Sequence, residues 1–182
     1  MRADGEVVYA AGRSSLSGVA MPQMNDAGVA LLERYEGCIL YAYDDANDHR
    51  VEPGDPVYGT LTIGYGHTGS DVYPGLVWTQ DQAEEMLRHD IDAFSSEITP
   101  LITGQLNDNQ FSAFVCLSFN IGLHAFAGSS ALHLANAGDL NDVPAHIALW
   151  DKTTINGRLV VSAGLKRRRA AEIALWNTPE PS

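Results

Sequence analysis

Apolar positions recur at helical spacing in several stretches of this chain, and one region between them changes to strand-like alternation. Val29, Leu32 and Tyr35, with Ala30 and Leu31 beside them, give an apolar face to a helix that Asn25 or Asp26 can cap. Glu36 ends it and Gly37 is the expected stop. Residues 39–66 then show alternation, β-branched residues and turn signals (Glu52-Pro53-Gly54-Asp55-Pro56 and Tyr58-Gly59), the pattern of a small antiparallel sheet.

Helical spacing returns at Thr79, which with Gln82 forms a capping box ahead of Ala83, Leu87, Ile91, Phe94 and Ile98, before Pro100 closes the run. A second box, Asn107 with Gln110, opens a helix through Phe111, Phe114, Val115 and Leu117 to Gly122. Shorter helices are expected around Ser130–Asn136 and Val143–Trp150, and a last one over Ala163–Trp176. The pattern describes a predominantly helical α+β domain over residues 23–178. Residues 1–22 carry Gly, Ser and Ala without clear periodicity and give little to bury, so a flexible N-terminal extension is expected there.

Charge narrows the partners. Asp and Glu total 23 against 11 Lys and Arg, a formal net charge of −12. Phosphate binding needs clustered cations, so no nucleic-acid partner is expected, and the balance also argues against electrostatic capture by an anionic surface. No apolar stretch reaches the roughly 18 residues of a membrane span. Cys38 and Cys116 lack metal-site or disulfide-framework spacing and are expected to be small buried hydrophobes.

Candidate chemistry lies where the first helix meets the sheet. Hydrolysis of a glycosidic bond takes one carboxylic acid to protonate the leaving oxygen and a second carboxylate across the sugar. Glu36 suits the acid: a helix C-terminus is unfavourable for an anion, and Leu32, Tyr35 and Ile39 could desolvate it, so both effects would raise its pKa. Asp45 follows in a polar stretch, and Thr62 precedes Gly64 and Gly66, which allow close approach of backbone and substrate. Asp44 competes with Asp45, and Asp48 does so more weakly. Adjacent side chains of an extended segment point to opposite faces, so Asp44 and Asp45 cannot both face one cleft.

Tyr35-Glu36-Gly37, Tyr43-Asp44-Asp45 and Thr62-Ile63-Gly64-Tyr65-Gly66-His67 together resemble the phage-type lysozymes, glycoside hydrolase family 24. Trp78-Thr79, Phe119-Asn120-Ile121-Gly122, Phe126 with Ser129-Ser130, and Gly164-Leu165 with Arg168-Arg169 and Glu172 extend the likeness, in family order, over about residues 24–176. The resemblance implies a lysozyme-like two-lobed fold in which a small sheet lobe and a larger helical lobe flank one cleft. It implies a monomeric endolysin-like muramidase, without cofactor or metal, that cleaves peptidoglycan between N-acetylmuramic acid and N-acetylglucosamine. Such a protein is made in the host cytoplasm and reaches the wall in the periplasm with holin-type help. A lytic transglycosylase, or a non-catalytic wall-binding or virion protein of the same fold, is the alternative.

On this resemblance Glu36 is the catalytic acid, Asp45 the second carboxylate and Thr62 the catalytic threonine, and inversion at the sugar is expected. The Tyr-x-Asp spacing selects Asp45 and leaves Asp44 as an outward neighbour. His67 is expected to pair with Asp90 on the long helix as a structural contact. Phe119 and Ser129 match positions near the saccharide, although core packing and helix capping are equally open to them. Residues 46–61 separate Asp45 from Thr62 by more than a short turn and are expected to be an insertion, with surface decoration the favoured reading. The run Lys166-Arg167-Arg168-Arg169 is expected to be a solvated face.

Overall fold

The computed structural model describes residues 21–179. Apart from Met21 and Pro22, the extension expected over 1–22 therefore lies outside the described residues. Helix α1 spans Asp26–Glu36; the Asn25 side chain accepts from Gly28 N at 3.0 Å, and Gly37 leaves the helix at φ 70°. The sheet follows as β1 (Ile39–Asp44), β2 (His49–Arg50), β3 (Leu61–Gly64) and β4 (His67–Thr68). Its order is β2-β1-β3-β4, antiparallel throughout.

Both capping boxes form. Thr79 Oγ1 accepts from Gln82 N while Gln82 Oε1 accepts from Thr79 N, opening α2 (Gln80–Ile98). Asn107 and Gln110 exchange the same pair of bonds ahead of α3 (Asp108–Ile121). Then come α4 (Leu123–Ala127), α5 (Ser130–Ala137), α6 (Val143–Ile147), β5 (Lys152–Ile155), β6 (Arg158–Val161) and α7 (Ala163–Trp176).

Every residue of α3 from Phe111 to Ser118 is buried, which makes α3 the axis of the helical lobe, with α1, α2, α4 and α7 packed around it. Phe114 sits at its centre, its ring 5.1 Å from that of Phe126 and 4.8 Å from that of Trp176. Burial of a side chain of this size contributes about 1.5–3 kcal/mol. The sheet lobe has its own small core of Ala42, Ile63 and Val72, and Trp78 packs against both cores. Trp78 thereby joins the lobes where α2 begins. Gly64, at φ 65°, lets the strand pass against that indole, since a Cβ there would come within 2.9 Å of the ring.

The helical organisation follows the periodicity, except that the helix expected over Val143–Trp150 ends at Ile147 and a 3-10 turn, Thr99–Leu101, follows α2; two further elements were not expected. One is α4, a short turn of helix. The other is the β5–β6 hairpin, whose strands are exposed at every position. Asn156 and Gly157, at φ 50° and 76°, make the turn with two positive φ angles that suits a two-residue hairpin loop. Cys116 is buried as expected, and Cys38 is half-buried.

Candidate active site

Glu36 is the last residue of α1, and its half-buried carboxyl meets α7. Arg168 Nη2 lies 2.6 Å from Glu36 Oε1. Arg168 also donates from Nε to Glu172 Oε1 at 3.2 Å and from Nη2 to the Cys116 carbonyl at 3.2 Å, and its guanidinium lies over the Tyr35 ring. On the far side of Glu172, Arg169 Nε is 2.7 Å from Oε2, and Arg169 Nη2 donates to Glu172 Oε1 and to Asn120 Oδ1. Burial pushes the Glu172 carboxyl up to about 7, against the opposing pull of Arg169 and Arg168. Desolvation likewise lowers the Arg169 pKa.

This corrects the expectation of a solvated basic face. Consecutive helix positions point around the axis, so Lys166 and Arg167 stay exposed while Arg168 and Arg169 are turned inward, both nearly inaccessible to solvent. The apolar surroundings expected for Glu36 are accordingly joined by a guanidinium from a helix more than a hundred positions away.

On the sheet lobe, Tyr43 pairs with Thr62 across β1 and β3, so the pleat puts Tyr43 and Thr62 on one face, and Asp45 follows directly after the end of β1. The backbone of Thr60 links the two candidate groups. Thr60 N donates to Asp45 Oδ1 at 2.6 Å, and Thr60 O accepts from Asp45 N and from Thr62 Oγ1, each at 3.1 Å. Asp45 is exposed, whereas Thr62 is buried.

Asp44 is not the outward neighbour that the spacing suggested. It is 1% exposed, and its carboxylate accepts from Tyr58 N at 2.7 Å, Gly59 N at 2.8 Å and Ala46 N at 3.1 Å. The Tyr58 N–H foremost, helped by those of Ala46 and Gly59, holds its carboxyl below the usual carboxylate range in spite of burial. Gly59 passes so close that a Cβ would overlap Asp45 Oδ1 and lie 2.8 Å from Asp44 Oδ1. Nor is the insertion mere decoration. It supplies β2, and Val51 is fully buried, donating to Ala42 O and accepting from Gly75 N.

His67 Nδ1 lies 2.8 Å from Asp90 Oδ2, with Nε2 3.2 Å from Asp71 Oδ2 and the ring 5.5 Å from that of Trp78. Phe119, on the last turn of α3, packs edge-on to Phe94 at 5.4 Å. Ser129 is buried and caps α5, accepting from Leu132 N at 3.2 Å. Among the described residues no helix is long and apolar enough to cross a membrane, and no group of three or more His, Cys, Asp or Glu could hold a metal ion. The sequence reading missed Arg168 as the partner of Glu36, and the roles of Asp44 and Thr60. For Arg168 a signal existed in its spacing to Glu172, four positions on, which permits an ion pair along one helix face.

A family model described as phage lysozyme matches residues 33–172. An endolysin of Bacillus phage PZA is 40% identical over 159 residues, which are 87% of this chain and 57% of that protein. An endolysin of Acyrthosiphon pisum secondary endosymbiont phage 1 is 37% identical over 85% of this chain and 98% of its own length. The chain thus spans little more than half of the first relative and nearly all of the second. Among solved structures, the muramidase domain of SpmX from Asticaccaulis excentricus superposes with a TM-score of 0.74 at 34% identity, over 87% of this chain and 99% of that one. A variant of P22 lysozyme gives 0.71 at 33% identity, over 87% of this chain and 100% of that one. With a helical lobe carrying Glu36, a sheet lobe carrying Asp45 and Thr62, and a match over most of its length, the chain belongs to the phage lysozyme family.

Proposed function

We propose that this protein is a peptidoglycan hydrolase that cleaves the β-1,4 bond between N-acetylmuramic acid and N-acetylglucosamine with inversion. Glu36 protonates the leaving oxygen as the bond to the anomeric carbon breaks. Water attacks that carbon from the opposite face and passes its proton to Asp45. Thr62 Oγ1 spends its own proton on Thr60 O, so its lone pairs are free to accept from the water and orient it. Asp45 Oδ1 is engaged by Thr60 N, which leaves Oδ2 for the water. Inversion requires a carboxyl separation of about 6.5–9.5 Å, with room for that water.

What supports this reading most is that the two water-handling groups are both bonded to the backbone of one residue, Thr60, while the acid is paired separately with Arg168. His67 and Asp90 serve as a structural pair near the site, and Phe119 and Ser129 contribute to saccharide binding. The protein acts as a monomer, made in the host cytoplasm and working on the wall after release, in keeping with the endolysin names of its relatives.

The test is digestion of purified peptidoglycan with wild type and Glu36→Gln, followed by reducing-end assay and mass spectrometry. Reducing muramic ends from wild type and none from folded Glu36→Gln are expected. Anhydro ends would instead identify a lytic transglycosylase, and pull-down of peptidoglycan without end release would identify a binding module.

A further inference from the structure

We propose that Asp44 is a positioning residue for the water-handling pair, acting through the backbone of residues 58–60. The inference rests on the muramidase reading above for its kinetic consequence, but not for its geometry.

A carboxylate that is 1% exposed is costly unless its lone pairs are filled. Asp44 fills them with three N–H groups, two of them from Tyr58 and Gly59 on the far side of the insertion. These bonds bring the returning chain onto the outgoing one immediately before Thr60. Thr60 then meets Asp45 through both its N–H and its carbonyl, and the same carbonyl receives the Thr62 hydroxyl. The absence of a side chain at Gly59 permits the approach, because a Cβ would collide with both aspartate carboxylates. Asp44 therefore fixes where Thr60 lies, and Thr60 fixes Asp45 against Thr62.

Asp44 touches no reacting atom in this scheme. Asn cannot replace it, since its amide offers one acceptor oxygen and turns an NH2 donor toward N–H donors. Because catalytic groups misplaced by about 1 Å can cost 100-fold in rate, Asp44→Asn is expected to lower kcat by about 10- to 100-fold with KM little changed.

The experiment compares the wild-type chain, Asp44→Asn and Val72→Ala, the last a control that loosens the sheet-lobe core without removing any hydrogen-bond partner of Asp44. Amide hydrogen exchange at Thr60 reads the clamp without substrate, and reducing-end release well below each melting temperature gives kcat and KM. The expected result is loss of Thr60 protection and of kcat in Asp44→Asn, with both retained in Val72→Ala. Unchanged Thr60 protection or unchanged kcat in Asp44→Asn overturns the inference, as does an equal fall of kcat in Val72→Ala. Failure of the wild type to release reducing ends would sink the muramidase reading alone, and Thr60 exchange would still decide the clamp.

Discussion

Arg168 Nη2 stands 2.6 Å from Glu36 Oε1, and the same guanidinium reaches Glu172 and the Cys116 carbonyl. The proposed acid is therefore fastened to the buried centre of the helical lobe, not left to swing at a helix end. Only a planar fork reaches all three partners at once; an ammonium does not. Arg168→Ala should cost about 3–5 kcal/mol of stability, because it leaves carboxylates short of a buried partner. Arg168→Lys should recover part of that stability but not the rate of end release. Thermal denaturation beside an activity assay checks this, and a lysine variant with wild-type rate and melting temperature would count against it.

His67 bridges Asp90 and Asp71 while lying against Trp78, which packs on both cores. Its contribution is to hold α2 against the sheet lobe. His67→Asn should lose about 1.5–3 kcal/mol, the usual worth of hydrogen bonds to charged groups, with activity per folded molecule nearly unchanged. Near-complete inactivity at unchanged melting temperature would assign His67 a chemical role instead.

Acid should loosen the segment around Asp44. Its folded-state pKa is held below the unfolded value of about 3.9, first by the Tyr58 N–H, then by those of Ala46 and Gly59, with His49 adding a favourable charge. The native state therefore binds fewer protons than the unfolded state in this range. The resulting stability is fully present above the unfolded pKa and is lost as pH falls through the folded one. The comparison that isolates Asp44 is between wild type and Asp44→Asn. The variant should be less stable at pH 6 and should lose less further stability on acidification from about pH 4 downward. Parallel stability curves for the two proteins from pH 6 to below 3 would refute this assignment.

Helix limits were legible because their causes are local. Asn25, Thr79 with Gln82, and Asn107 with Gln110 cap through atoms within three residues of one another. The β5–β6 hairpin escaped because both strands are exposed at every position, so no in–out alternation marks them, although Asn156-Gly157 is a strong hairpin signal. In the site, the pleat separated Asp44 from Asp45 correctly, but which of them turned inward depended on Tyr58 and Gly59, fourteen and fifteen positions away. The Glu36–Arg168 contact spans the chain from its first helix to its last, and such pairings are written only in the packing of α1, α3 and α7.

Val51, seated between Ala42 and Gly75, has a consequence for how this chain can vary. Between that anchor and Tyr58 lies a stretch, residues 52–57, that is exposed along its whole length and turns through Glu52 and Asp55, which exchange hydrogen bonds. Both of its ends are held by the folded lobe, so lengthening it costs only the slow logarithmic growth of loop-closure entropy. A peptide tag or small domain grafted at Gly54 would ride on the sheet lobe without being felt at Thr62.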